Sequence, residues 1–422
     1  MSTEHPTSCR ILVVGINYAP ENVGTGKYTG EMCTWLASRG HRVRVITAPP
    51  YYPSWQVARG YRRSWYHRES LSGVDVVRCP LWVPKVPSGG KRLLHLASFA
   101  ASAILPLLAA LAWRPTHVVC VAPTLAAAPA AFLTSRLSGA ASWLHIQDFE
   151  LDAALDMGIV SAGPLKRAAT AVEQWILRRF DRVSTISPKM VERLHSKQLP
   201  DSSCILFENW VDINAISPLE TPSPYRKELG IPNDAIVALY SGNMGLKQGL
   251  ELLGEAAVAL QGEPNLYFVF GGQGPGRAPL ERQCAMLPNV RFLDLQPAHR
   301  MRHWLGLADI HLLPQRADVA DLVMPSKLGG MLASGRPILA TAAQGTGVAL
   351  AVEHCGMIVE PGDTGAFTWA LRRLASRPEA RSAMGANARK RAVTQLSQNA
   401  VLHKFEHELT SLTGTHQKRS CL

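Results

Sequence analysis

The chain has few cysteines for its length, eight in 422 residues, and no two of them form a C-x-x-C pair. Cys9, Cys33, Cys79, Cys120, Cys204, Cys284, Cys355 and Cys421 are scattered. That pattern excludes a disulfide framework and a cysteine-based zinc module, and it fits buried thiols in a reducing compartment. No metal-binding cluster and no cofactor motif are expected. Zinc-finger spacings and RNP-like phrases are also missing, so nucleic acid is the last partner to consider despite a net charge of +12. Met1 to Arg10 is polar and has no apolar h-region, so no secretory signal is expected. With 47% apolar residues, wholesale disorder is excluded, and the length suggests two or three domains.

Long apolar runs are nearly absent too, with one exception. Leu93 to Trp113 is almost free of charge and is flanked by Lys91-Arg92 and Arg114. Its length is near the roughly 20 residues that span a bilayer. It lies, however, between two expected strands of one sheet, which a spanning helix would separate. A buried or surface-lying helix is therefore expected, and its basic flanks suit a monotopic contact with a membrane face. The charge distribution agrees, since residues 1–211 hold 23 Lys/Arg against 14 Asp/Glu while 212–422 hold 21 against 18.

What is present is alternation of strand and helix. Arg10 to Gly15 is a short apolar run, followed by a glycine-containing loop, a helical stretch from Lys27 to Arg39 and a second run, Val43 to Thr47. Val74 to Arg78, His117 to Val121, Ser142 to Ile146 and Arg182 to Ile186 continue the series, giving a Rossmann-like doubly wound domain over 1–211. Phe207 to Asp212 and the prolines 218, 222 and 224 read as a linker. A second α/β domain, 212–390, takes its strands from Ala235–Gly242, Tyr267–Gly271, Val290–Leu293, Ile310–Leu313 and Ile338–Thr341, and 391–422 is a helix with a polar tail. Two such halves place a ligand in the cleft between them.

The most informative stretch runs from Met324 to Thr341. Ser326 reads as an N-cap, a short apolar helix follows, Gly335 closes it and Pro337 leads into a buried strand. The backbone N–H groups at such a helix start, with Pro325, Ser326 and Lys327 around them, suit a diphosphate. Tyr240 to Gly249 is a second loop of this kind, in which Gly242 lets the backbone approach a phosphate and Lys247 adds charge. Asn17 to Lys27 is its counterpart in the first domain. There Gly24, Thr25, Gly26 and Lys27 could meet an acceptor or a phosphate, the glycines being equally explicable by local structure. Pro49 to Trp55, with Tyr51, Tyr52 and Trp55, and Tyr61 to Trp65 combine aromatics with cations, as sugar stacking and phosphate pairing require. Asp148 follows a strand, where it either orients an acceptor hydroxyl or caps the next helix. His145, three residues earlier, is more often a packed strand residue than a catalyst.

The order of these segments resembles the retaining glycosyltransferases of family 4, and the likeness covers nearly the whole chain. The carrying phrases are Gly24-Thr-Gly26, Ile146-Gln147-Asp148 with His145 upstream, Asn209-Trp-Val-Asp212, Gly272-Gln-Gly-Pro275, Pro325-Ser-Lys327 and Val359 to Asp363. Within the family the chain looks most like the bacterial exopolysaccharide branch, on its Tyr-Ala-Pro-Glu and His-Ile-Gln-Asp-Phe-Glu phrases. The resemblance implies a GT-B fold, metal-free and cofactor-free hexosyl transfer with retention, and Asp148 and His145 as acceptor-side catalytic candidates. It also implies a GDP- or UDP-linked donor, with GDP-fucose preferred, and a lipid-diphosphate-linked glycan acceptor at the cytoplasmic membrane face. Two departures stand out. The family's E-x7-E pair falls at Leu322 and Gly330, leaving Asp318, Asp321 or Glu353 as substitutes, and its phosphate-binding arginine is replaced by Asn243. A nucleotide-sugar 2-epimerase and a non-catalytic membrane-associated assembly protein are the rival readings.

Overall fold

The computed structural model describes residues 8–21, 24–86, 89–123, 125–149, 163–245, 248–316 and 325–419. They form two compact units, Met1–Glu208 with Leu402–Leu422, and Asn209–Val401. In the first, β1 (Arg10–Val14), β2 (Arg42–Thr47), β3 (His67–Leu71), β4 (Val74–Arg78), β5 (His117–Ala122), β6 (Ala141–Ile146), β7 (Arg182–Thr185) and β8 (Cys204–Leu206) build one sheet in the order β3-β4-β2-β1-β5-β6-β7-β8. All neighbours are parallel except β3 and β4. β1 runs Arg-Ile-Leu-Val-Val because it is covered on both faces, and Ile11, Leu12, Val13 and Val14 are fully buried. The polar β3 sits at the edge and turns into β4 through Ser72 and Gly73, both at positive φ, as a tight hairpin requires.

Helix α1 (Gly24–Ser38) follows β1, and α2 (Gly89–Leu111) joins β4 to β5. Along α2, Phe99, Ala103, Leu107 and Ala110 recur at helical spacing and are buried, while Leu93, Leu94, Ile104, Leu105 and Leu108 are exposed. Gly90–Leu111 is long and apolar enough to cross a membrane by length and composition. Its inner face is nevertheless fastened to the unit. His95 Nδ1 meets the Trp82 carbonyl at 2.7 Å, and Ser102 Oγ donates to the Pro80 carbonyl at 2.8 Å. Since β4 and β5 belong to one sheet, α2 lies along the unit.

In the second unit β9 (Ile236–Ser241), β10 (Leu266–Gly271), β11 (Val290–Leu293), β12 (Ile310–Leu313), β13 (Ile338–Thr341) and β14 (Gly356–Val359) form a wholly parallel sheet, ordered β11-β10-β9-β12-β13-β14. Helix α3 (Lys327–Ala333) precedes β13. Ser326 does not cap it. Its backbone is already helical (φ −59°, ψ −23°), so its hydroxyl makes no capping bond, and the first turn is instead closed by Leu328 N–H donating to the Pro325 carbonyl at 3.0 Å. Gly335 does follow the helix end, at φ +67°. The last helix, α4 (Gln398–Arg419), carries Phe405 and Glu406 back into the first unit. Phe405 stacks on Phe207 at 4.4 Å and meets Trp143 edge-on at 5.0 Å.

Candidate active site

In a parallel sheet, ligands meet the loops beyond the carboxyl ends of the strands. At that edge of the second unit, β9 delivers Ser241 and then Gly242, whose φ of +140° only glycine adopts without strain. A side chain at Gly242 would also press on Lys327, whose Cδ lies 3.2 Å from the Cβ position. Lys327 opens α3, and its Nζ is enclosed 4.1 Å from the centroid of the Tyr240 ring. Among the described residues that nitrogen has no hydrogen-bond partner. Burial pulls its pKa down to about 7. A cation held dry and unpaired is ready for an anion, whose arrival would restore its charge.

The loop next to Lys327 is held rigidly. Tyr240 hydroxyl donates to the Asn243 carbonyl at 2.6 Å, and Trp304 Nε1 donates to Ser241 Oγ at 2.8 Å. The Asn243 side chain is exposed. Gly272 and Gly274 form the wall behind the loop: a Cβ on Gly272 would stand 1.9 Å from the Gly242 carbonyl oxygen, and one on Gly274 2.6 Å from the Met244 oxygen. The Gly272-Gln-Gly-Pro275 phrase therefore serves close backbone packing.

Other expected donor residues fall elsewhere. Lys247, Asp318, Asp321 and Leu322 lie outside the described residues. At Gly330 a Cβ would meet Leu305 Cδ1 at 3.0 Å and Ile216 Cδ1 at 3.7 Å, an apolar place unsuited to the carboxylate of the family's pair. Glu353 does not belong to the site. It precedes Gly356, which pairs with Ile338 at the amino end of β13, so it stands at the opposite edge of the sheet from Gly242. There its exposed carboxylate is 3.8 Å from His354 Nε2.

At the corresponding edge of the first unit, the loops after β1 and β2 come together. Gly24 begins α1 at φ +56°, with the Tyr52 ring 3.9 Å from its Cβ position. Thr25 carbonyl accepts the Thr29 hydroxyl, and Lys27 Nζ is 3.9 Å from Glu31. Gly26 does not serve ligand approach: its Cβ would lie 2.7 Å from Glu21 Oε2. Tyr51 is buried and meets His95 edge-on at 4.7 Å and Trp55 at 5.6 Å. Tyr52 is exposed and Trp55 half-buried, with the Arg92 guanidinium 5.6 Å from the Trp55 ring.

Asp148 follows β6 and is solvent-exposed. The dense protein around it pushes its carboxyl above the usual range, and the Arg92 charge pulls it back. His145 lies inside the sheet. Its Nδ1 is 2.9 Å from Ser184 Oγ, which also accepts from Trp143 Nε1, and its Nε2 is 2.9 Å from the Gln147 amide. Burial lowers its pKa to about 3, so the ring is neutral and both nitrogens are engaged. That is the geometry of a packed strand residue, with no face left for an acceptor.

Residues 23–210 match the Glycosyl transferase 4-like domain and residues 223–391 the Glycosyl transferases group 1 domain. The colanic acid biosynthesis glycosyl transferase WcaI of Escherichia coli K12 is 41% identical over 410 residues, covering 95% of this chain and 99% of that protein. The chain belongs to the family 4 glycosyltransferases. Solved structures agree on its GT-B fold. Sucrose-phosphate synthase of Thermosynechococcus elongatus superposes with a TM-score of 0.74 at 16% identity, covering 96% of this chain and 100% of that one. HepE of Anabaena, in complex with UDP and glucose, gives 0.67 at 15% identity with the same coverages.

A departing diphosphate asks for cation and N–H donors, and Lys327 Nζ is a buried cation without a hydrogen-bond partner among the described residues. Three contributors escaped the sequence reading as site residues. Tyr240 was read as a strand residue and the first residue of the glycine loop, with no role for its side chain, although its ring lies 4.1 Å from Lys327 Nζ. Arg92 read as a helix flank, and Glu21 as one letter of a phrase. The glycine two residues into α1 was the available signal for Glu21, since a buried carboxylate needs room beside it.

Proposed function

We propose that this glycosyltransferase moves a hexosyl group from a nucleotide diphosphate sugar to a lipid-linked glycan, with retention of configuration, at the inner face of the cell membrane. The carrying observation is Lys327, an enclosed and unpaired cation at a loop held open to backbone approach by Gly242. In this reading the anomeric C–O bond to the diphosphate breaks while the acceptor oxygen bonds to the same carbon from the same face. The acceptor proton passes to the departing phosphate, so no protein nucleophile is needed, and Lys327 meets the charge as it develops. Asp148 orients the acceptor hydroxyl.

The likeness to WcaI supports a role in exopolysaccharide assembly of the colanic-acid kind and makes GDP-fucose the preferred donor. The exposed apolar row of α2, with Lys91 and Arg92 at its start, supports a lipid-linked acceptor and a peripheral membrane position.

The test is nucleotide release from a panel of GDP- and UDP-sugars, with and without membrane extract containing lipid-linked glycans. Acceptor-dependent release of GDP from GDP-fucose is expected. Turnover of donor alone to an epimer would replace the reading with the 2-epimerase, and binding without turnover would leave an assembly protein.

A further inference from the structure

Glu21 is 5% exposed, and three N–H groups converge on its carboxylate. Oε1 accepts the backbone N–H groups of Tyr51 at 2.8 Å and Tyr52 at 2.9 Å, and Oε2 accepts from Asn17 Nδ2 at 2.9 Å. A buried carboxylate is costly unless its oxygens are satisfied in this way, and charge-assisted bonds to backbone are the strong kind. Room for it is made by Gly26, where a Cβ would stand 2.7 Å from Oε2 and 2.8 Å from the Glu21 Cβ. One side chain thus ties the loop after β1 to the loop after β2, 30 residues on.

What hangs from the second loop has the chemistry of a ligand platform. Tyr51 packs against His95 and Trp55. Trp55 is held at φ +53°, a strained place for a bulky residue, which persists only where surroundings enforce it. Arg92 lies 5.6 Å from the Trp55 ring and acts electrostatically on Asp148. Its guanidinium is exposed at the start of α2. The exposed Tyr52 ring, beside a half-buried Trp55 with the exposed Arg92 over it, suits a phosphorylated sugar, with the tyrosine ring taking the pyranose face and the guanidinium fork taking phosphate oxygens.

We propose that Glu21 is a positioning residue for the acceptor: by clamping the backbone of Tyr51 and Tyr52 it fixes a platform of Tyr52, Trp55 and Arg92 that takes the sugar-phosphate end of the acceptor. The proposal rests on the transferase reading above. It predicts a kinetic split, because the donor loop belongs to the other unit and shares no residue with this clamp.

The experiment measures initial rates of nucleotide release by the full chain. Donor is varied at fixed membrane extract, and extract is varied at saturating donor, for wild type, E21A, E21Q and N17A. Glu21→Ala raises the half-saturating amount of extract about tenfold and leaves donor KM within about twofold. Glu21→Gln keeps one carbonyl oxygen for both backbone N–H groups and recovers most of the loss. Asn17→Ala falls between. If Glu21→Ala does not fold, the order wild type, Glu21→Gln, Asn17→Ala still decides. Equal half-saturation in all folded variants, or equal damage to donor KM, overturns the proposal. A wild type without acceptor-dependent release refutes the transferase reading itself, and that outcome is visible before any variant is made.

Discussion

The Nζ of Lys327 lies 4.1 Å from the centroid of the Tyr240 ring, with no hydrogen-bond partner among the described residues. The ring face offers a cation part of what water would, and the shortfall is why burial leaves the pKa at about 7. On the proposed function, donor binding and protonation are linked at this one nitrogen.

The sign follows from that linkage. A bound diphosphate favours the charged lysine, so the pKa rises in the complex. Affinity is full below about pH 7 and falls as pH climbs above it, up to tenfold per unit until the bound-state pKa is reached. Donor KM should rise through this window in wild type and stay level in Lys327→Ala. That variant should lose about 100-fold in donor kcat/KM, roughly 3 kcal/mol, while melting as wild type does. A level wild-type profile, or normal kcat/KM in the variant, would remove Lys327 from the donor site.

Gly272→Ala tests the wall behind the same loop. The added Cβ would stand 1.9 Å from the Gly242 oxygen at a φ of +154°, so backbone must move. A cost of about 3 kcal/mol or more is expected, read as a clear drop in melting temperature together with lost donor binding. Gly262→Ala, with nothing within 4 Å of its Cβ, is the control and should change neither.

Much of the fold was legible because hydrophobic runs report burial on both faces of a parallel sheet. Val74–Arg78 and Val290–Leu293 were read to the residue, and Arg42–Thr47 to within one. The strands that were not read lie at or near sheet edges: polar β3, the three-residue β8 and β14. The closeness of Gly242 and Lys327 follows from local motif geometry, a glycine after β9 facing the first residue of α3. Glu353 was misplaced because sequence distance does not say which end of a sheet a loop occupies. The role of Gly26 was missed because the Glu21 clamp acts across 30 residues, which no local pattern records. Ser326 looked like a cap by residue type, but its backbone is already helical.

Glu406 holds α4 to the first unit. Its carboxylate accepts from Arg39 at 3.2 and 3.3 Å and meets His41 Nε2 at 3.0 Å. Burial would raise its pKa, but the hydrogen bonds from Arg39 and His41 outweigh that and hold it below the ordinary range. The stabilisation is thus present above the unfolded-state value of about 4.3 and is lost as pH falls through the lower folded-state value. Glu406→Ala should cost about 2–4 kcal/mol at neutral pH, seen in urea melts. In the acid range its deficit relative to wild type should shrink. A deficit that does not change with pH would show that lost packing, and not charge, explains the effect.

The exposed row of α2 tests the membrane reading apart from catalysis. Ile104, Leu105 and Leu108 are 48%, 61% and 50% exposed, so charges there disturb little of the core. Burying an apolar side chain of this size in an interface contributes roughly 1.5–3 kcal/mol. Lys91 adds on the order of 1 kcal/mol near anionic lipid, screened by salt. Wild type should therefore sediment with anionic vesicles and come off as salt is raised. Leu105→Glu with Leu108→Glu should bind at least about tenfold less at every salt, because apolar burial is lost and like charge is added. Lys91→Gln should weaken binding at low salt only, since it removes charge alone. Unchanged melting temperatures in all three would tie the differences to the surface. Vesicle binding of the double variant equal to wild type would mean that α2 does not face lipid, and a lipid-linked acceptor would then have to reach the aromatic loop by another approach.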